Sequence, residues 1–153
     1  LLKGVDIRAV GSGNIGATNA FRVLGKGIGV AVLLVDVMKG LLPCLFLPAL
    51  VAGVFPESQA PELPTLHMLI GVSAILGHNY PCWLGFKGGK GIATSAGVLG
   101  ALMPLVFLGM LILFLITFYR SGYVSLASIF AALSLPILRL TALSVPSFTR
   151  LRA

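Results

Sequence analysis

GHNYPCWLGFKGGKG, residues 77–91, sets five glycines, two lysines and a histidine between two long apolar runs. A second polar stretch, GSGNIGATNAFR at 11–22, supplies Ser12, Asn14, Thr18, Asn19 and Arg22. These residue types in close order suit the binding of anions. Glycines let backbone N–H groups converge on an anion, lysines add point charges, and an arginine clamps phosphate through two N–H groups. The segment IATSAGVLG that follows Lys90 and Gly91 reads as the start of a helix, whose N-terminus also favours an anion. The opposing reading is a flexible basic connector at 77–91 and a capped turn before a short amphipathic helix at 11–22.

Two better-known phosphate motifs are excluded. GSGNIG matches G-x-G-x-x-G, and Asp36 stands at a suitable distance for a dinucleotide fold. That fold needs alternating strands and helices beyond this point, and uncharged runs of lipid length follow instead. GFKGGKG lacks the Walker pattern: Leu84 stands where its first glycine belongs, and Gly91 where Ser or Thr must follow the lysine.

Other chemistry-bearing residues are few. His78 reads either as a general base or anion donor, or as a helix-end histidine satisfied by backbone. No carboxylate lies near it in sequence to orient it. Asp36 and Lys39 lie one helical turn apart on one face of an apolar segment. Ionisable groups at membrane depth usually face a protein interior or a water-filled cavity. They form either a structural ion pair or a contact to substrate. Cys44 and Cys82 sit in apolar runs and read as packing residues rather than a disulfide or metal pair. No metal or cofactor is expected.

The elements that must position these groups are membrane helices. Of the 153 residues, 58% are hydrophobic and only 10% charged, against about 25% in an ordinary soluble domain. Mean hydropathy is +1.05. No charged residue falls between Lys39 and Glu57, Lys90 and Arg120, or Arg120 and Arg139. Runs of about 18 or more uncharged apolar residues read as transmembrane helices. The predicted fold is an all-α, polytopic integral membrane helix bundle with short or broken helices, forming one transmembrane domain over 1–153. Its expected parts are a polar loop at 1–26, membrane segments at 27–55, 66–86, 92–119 and 123–138, an external loop at 56–65 and an anion loop at 87–91. Gly97 to Tyr119 is the clearest single run. Gly40 and Pro43 are expected to break 27–55 into two short helices.

The net charge of +7 is explained by sidedness rather than by nucleic acid. With 1–26 in the cytoplasm, the inside loops hold Lys3, Arg8, Arg22, Lys26, Lys87, Lys90, Arg139, Arg150 and Arg152. The outside loops hold Arg120, Glu57 and Glu62. That is the positive-inside bias, and it puts both glycine-rich stretches on the cytoplasmic face.

GSGNIGATNAFRVLGKGIGVAVLLVDVMKG and GHNYPCWLGFKGGKGIATSAGV closely resemble the bacterial acyl-phosphate-dependent glycerol-3-phosphate acyltransferases, the PlsY family. RSGYVSLASI at 120–129 looks like the family's later helix start. The resemblance covers most of 4–130. It implies an inner-membrane, multi-pass enzyme with cytoplasmic site loops. Such an enzyme moves a fatty acyl group from acyl phosphate to the 1-hydroxyl of sn-glycerol 3-phosphate and releases lysophosphatidic acid and phosphate in phospholipid synthesis. It implies no cofactor, and as partners the two substrates, the bilayer and the enzyme that makes acyl phosphate. By match to the family motifs, Ser12, Gly13, Asn14 and Thr18 are expected around the donor phosphate and Arg22 on the glycerol phosphate. Lys87, Gly88, Gly89 and Lys90 form the anion loop, with Lys90 bridging both phosphates. His78 matches the histidine of that motif, and Ser125 a serine of the later helix. Members carry a hydrophobic helix before the first motif and a third motif with Asn, Arg, Gly and Glu near the end. TALSVPSFTRLRA does not match that motif, so the chain is expected to be a fragment or divergent at its ends, with acceptor binding incomplete. An anion transporter and a non-catalytic membrane partner are the competing functions.

Overall fold

The computed structural model describes residues 4–55 and 62–144. They form helices α1 (Ala17–Leu24), α2 (Lys26–Val54), α3 (Leu63–Asn79), α4 (Ile92–Leu102), α5 (Pro104–Ser121) and α6 (Val124–Ser144), with a 3-10 turn at Cys82–Leu84. Among the described residues there is no strand. The chain divides into two compact units, Leu1–Leu102 and Met103–Ala153.

Among the described residues, three helices are long and apolar enough to cross a membrane: Lys26–Val54, Pro104–Ser121 and Val124–Ala142. The fold class expected from the sequence, an all-α membrane bundle with short helices, is therefore the observed one. Two of its details differ. α2 does not break at Gly40 and Pro43 but runs through both, and through Pro48, for 29 residues. At 1.5 Å per residue it is about 43 Å long, more than a hydrocarbon core, so it must tilt or emerge from the bilayer. Proline is tolerated inside membrane helices because neighbours and local adjustments satisfy the freed carbonyls. Gly40 serves a different end, described below.

The second difference is at 97–119, where the expected single run is cut. α4 ends at Leu102, Met103 takes φ −142° and ψ 64°, and Pro104 opens α5. Proline drives the residue before it out of the helical region and suits the first turn of a new helix. Hydropathy alone could not register this, because proline interrupts the backbone without adding charge. Similarly, the helix within 66–86 stops at Asn79, ahead of Pro81 and the 3-10 turn.

In the first unit, α3 runs antiparallel to α2 and α4 parallel to it. His78 of α3 meets Asp36 of α2, while Ile70 packs with Cys44, further along α2. Cys44, Ile70 and Val98 form the core, flanked by Leu66, Ile75, Ala101 and Leu102. α2 and α4 cross with their backbones in contact. A methyl group at Gly40 would overlap the Thr94 carbonyl, and one at Gly97 the Val37 carbonyl. Small residues at the seam and large apolar residues outside are the pattern of membrane bundles, where close packing replaces the hydrophobic drive between helices. Leu34, Phe46, Leu50 and Leu69 are exposed accordingly.

The second unit is a hairpin of α5 and α6 turned at Gly122, which takes φ +72° and donates its N–H to Phe118 O at 2.8 Å. α6 carries hydroxyls in an apolar helix and satisfies them on its own backbone. Ser128 donates to Val124 O at 2.8 Å and Ser134 to Ala131 O at 2.7 Å.

Candidate functional site

The first polar stretch is organised by one buried side chain. Asn19 of α1 is 2% exposed. Its Oδ1 accepts the Ser12 N–H at 3.0 Å, and its Nδ2 donates to the carbonyls of Ile7, Val10 and Asn14 at 3.1, 3.1 and 2.9 Å. Four backbone groups spread over eight residues thus converge on one amide. Asn14 Oδ1 accepts the Gly16 N–H at 2.8 Å, which fixes the turn into α1. Gly11 and Gly13, both at φ +68°, supply the left-handed corners. Asn19 is therefore scaffold. Ser12, Gly13, Thr18 and Arg22 are exposed, and Asn14 is half-buried with its side chain already engaged. α1 docks on the N-terminal end of α2, where Phe21 fills the space beside Gly29.

The second stretch is anchored on the C-terminal end of α3. Gly88 N–H donates to Asn79 O at 3.0 Å and Gly89 N–H to His78 O at 3.3 Å. Neither glycine has a positive φ. Both are glycine because the neighbours leave no room. A methyl at Gly88 would overlap the carbonyls of His78 and Asn79, and one at Gly89 the His78 imidazole. The anion nest expected at Gly88 and Gly89 is thus displaced, since those two amides already serve α3. The open donors lie one step further on. The first hydrogen bond of α4 is Ser95 N–H to Gly91 O at 2.7 Å, leaving the amides of Ile92, Ala93 and Thr94 facing the helix N-terminus. Two buried oxygens at this end, Asn79 Oδ1 and Thr94 Oγ1, have no partner among the described residues.

Lys87 and Lys90 are both exposed, and neither side chain makes an ion pair or hydrogen bond among the described residues. Arg22 is likewise exposed and unpaired. Lys39 Nζ lies 2.9 Å from Asp36 Oδ1, so the pair read from sequence forms. Its partners are unequal, with Asp36 buried and the Lys39 side chain 48% exposed.

Sequence reasoning missed the partner of His78. Its Nδ1 lies 3.5 Å from the same Asp36 Oδ1, and both side chains are buried. No carboxylate lies near this histidine in sequence, but antiparallel packing of α3 on α2 brings Asp36 to it in space. The buried Asp36 was the one available signal. Such a group needs more than one half-exposed lysine to satisfy its oxygens. Cys82 is also corrected: it is free and exposed, whereas Cys44 is free and packs in the core as expected.

The two polar stretches meet the same N-terminal half of α2, one through Phe21 at Gly29 and the other through His78 at Asp36. Ser125 stands exposed in the first turn of α6, within the second unit. In the first unit the two stretches leave the cationic side chains of Arg22, Lys87 and Lys90 exposed. Their backbone is fixed by Asn19 in one and by the end of α3 in the other.

Comparison with known proteins fits this arrangement. The profile of the glycerol-3-phosphate acyltransferase family matches residues 1–151. A curated glycerol-3-phosphate acyltransferase from Chlorobium phaeobacteroides is 45% identical over 142 residues, 90% of this chain and 59% of the relative. The chain thus spans about three fifths of that relative's length. Crystal structures of PlsY, an integral membrane glycerol 3-phosphate acyltransferase, are similar in fold. Its glycerol 3-phosphate form aligns with a TM-score of 0.76 at 43% identity, over 97% of this chain and 70% of PlsY. Its lysophosphatidic acid form aligns at 0.73 and 42%, over 97% and 68%. With the family profile running across both polar stretches and every helix described, the chain belongs to the glycerol-3-phosphate acyltransferase family.

Proposed function

We propose that this protein, in its full-length form, transfers a fatty acyl group from an acyl phosphate to the 1-hydroxyl of sn-glycerol 3-phosphate. The products are lysophosphatidic acid and inorganic phosphate, which feed phospholipid synthesis. The observation that carries this reading is the placement of Lys87 and Lys90, exposed and unpaired beside the open first turn of α4, in a chain of this family.

The chemistry asks little of the protein in covalent terms. An acyl phosphate is a mixed anhydride with a good leaving group, so no enzyme nucleophile is needed. Two anions must be held together against their repulsion, and the carbonyl oxygen must be stabilised as it becomes an oxyanion. Lys90 is assigned to bridge the two phosphates, with Lys87 steering anions towards it. Arg22 is assigned to the glycerol phosphate, and Ser12, Gly13, Asn14 and Thr18 to the donor phosphate. Ser125 is the weakest assignment. His78, with a buried carboxylate on Nδ1, suits holding the loop better than abstracting a proton. The leaving phosphate can accept the proton of the attacking hydroxyl. The acyl chain lies in the bilayer or among helices.

The reading includes a topology, with both loops on the cytoplasmic face of the inner membrane and access to the enzyme that makes acyl phosphate. The native Cys82, exposed beside the second loop, reports on it. It should resist an impermeant maleimide in sealed right-side-out cells and react in inverted vesicles.

The deciding experiment supplies labelled glycerol 3-phosphate to membranes containing the full-length protein. Incorporation into lysophosphatidic acid with acyl phosphate, but not with acyl-CoA, is the expected result. Incorporation with acyl-CoA alone would assign a different donor. Uptake of label without acylation would favour the anion transporter.

A further inference from the structure

We propose that Asp36 is a positioning residue for the 88–90 loop, acting through His78. The link is a chain of contacts across three elements. Asp36 Oδ1 on α2 lies 3.5 Å from His78 Nδ1 at the end of α3. Of the two ring nitrogens, Nδ1 is the one that faces the carboxylate. Nε2 is turned towards Gly89, where it fills the space a methyl group would need. The carbonyl of the same histidine accepts the Gly89 N–H at 3.3 Å, and that of Asn79 the Gly88 N–H at 3.0 Å. The loop therefore rests on His78 at two points, ring and carbonyl. The ring's orientation is set from the far side by Asp36. Both Asp36 and His78 are buried, so water cannot stand in for the lost partner without opening the packing. Lys39 touches the same carboxylate oxygen, but its half-exposed head reaches solvent. It balances charge and does not touch the loop. Lys90 follows directly on the positioned glycines, so the carboxylate sets where that ammonium stands without meeting it.

This inference rests on the proposed function only for its kinetic readout, and a second readout is independent of activity. Lys87 and Lys90 are tryptic sites in the loop itself. In the full-length protein in detergent, the rate of trypsin cleavage at 87–90 tracks how often the loop leaves its seat. Removing one partner of a buried polar contact to a charged group corresponds to about tenfold or more in such an equilibrium. Asp36→Ala should raise cleavage at 87–90 by about that factor and raise the KM for glycerol 3-phosphate more than it lowers kcat. Asp36→Asn, whose side-chain oxygen can still face Nδ1, should recover most of both. Lys39→Met should change each by less than about threefold. His78→Phe keeps the ring's bulk and the Asp36–Lys39 pair but removes the nitrogen that meets Asp36. It should match Asp36→Ala, and it carries the test should Asp36→Ala fail to accumulate. Normal cleavage and normal KM in either Asp36→Ala or His78→Phe would overturn the proposal, as would Lys39→Met matching Asp36→Ala. If the protein acylates nothing while cleavage follows the expected order, the function is wrong and the link stands.

Discussion

The loops at 4–16 and 79–91 have similar compositions, yet they are built in opposite ways. In the first, a side chain organises backbone: Asn19 gathers one N–H and three carbonyls, and Gly11 and Gly13 bend left-handed to reach it. In the second, backbone organises backbone. The last carbonyls of α3 take the amides of Gly88 and Gly89, and those glycines are needed for closeness rather than for φ. A glycine-rich stretch is therefore not one kind of object. The first loop spends its polar side chains on its own shape and presents Ser12, Thr18 and Arg22. The second is shaped by a neighbouring helix and leaves both lysines unpaired.

The largest effect should come where charge is presented rather than where shape is made. In a full-length family member carrying this loop, Lys90→Ala should lower kcat by about 10²–10³, as loss of one oxyanion donor does. Its level in the membrane should stay normal. Lys90→Arg should recover part, because a planar fork replaces a compact charge. Lys87→Ala should be milder, since Lys87 precedes the positioned glycines. Near-normal turnover of Lys90→Ala at saturating substrate would remove Lys90 from the mechanism and return the loop to a basic connector.

The two uses of glycine predict two sizes of stability loss. Gly89→Ala forces a methyl into the His78 ring and Gly88→Ala into two carbonyls. Overpacking of this kind costs about 1–3 kcal/mol, and more where backbone is struck. Gly13→Ala meets only the Arg8 carbonyl, at 3.2 Å, and carries the left-handed penalty of about 1–2 kcal/mol. Thermal unfolding in detergent should therefore rank Gly88→Ala below Gly13→Ala. The reverse order would mean that the second loop can leave α3 at little cost.

Much of this architecture is legible in sequence, and the limits have physical causes. Lipid-length runs and the Asp36–Lys39 pair follow from composition and from helical spacing, which are local. The helix break at Met103 was written in Pro104, but a hydropathy reading passes over a residue that changes backbone rather than polarity. Gly40 and Pro43 looked like a break for the converse reason. The real context of Gly40 is the Thr94 carbonyl across the seam, which one segment cannot reveal. The His78–Asp36 contact is the same problem in the site. Their separation in sequence carries no signal until α3 packs on α2. The polar residues of 11–22 were visible as candidates, but not the division that makes Asn19 scaffold and leaves Arg22 free.

That division gives the next prediction. Asn19→Ala leaves the Ser12 N–H and the carbonyls of Ile7, Val10 and Asn14 without their shared partner. Unsatisfied buried groups cost about 1–3 kcal/mol. The loss should appear as faster amide exchange at Ser12 with little change at Gly88 and Gly89. Asn19→Asp should be worse than Asn19→Ala, because a carboxylate would face three carbonyls. Equal loosening of both loops would show that they form one cooperative unit and dissolve the contrast between them.

The smallest effect belongs to the entrance of the first loop, where Arg8 grips Asp6. The guanidinium Nη2 lies 2.9 Å from Oδ2, and Arg8 Nε and the Arg8 amide both lie 3.0 Å from Oδ1. These hydrogen bonds from Arg8 hold the Asp6 carboxyl at about 2, against an ordinary 3.8. A carboxyl whose folded value is depressed lends its contact in full above the ordinary value and loses it as pH falls through the folded one. The contact should thus survive acidification to pH 3 and fade only near pH 2, followed by the carbon chemical shift of the Asp6 carboxyl. Because the pair is about half exposed at the surface, solvent and salt screen it, and such pairs contribute little to stability. Asp6→Asn should leave the thermal midpoint where it was and quicken exchange only at Arg8 and Ala9. A titration midpoint near 4 would mean that Arg8 does not hold Asp6. The shape of the first loop would then rest on Asn19 and Asn14.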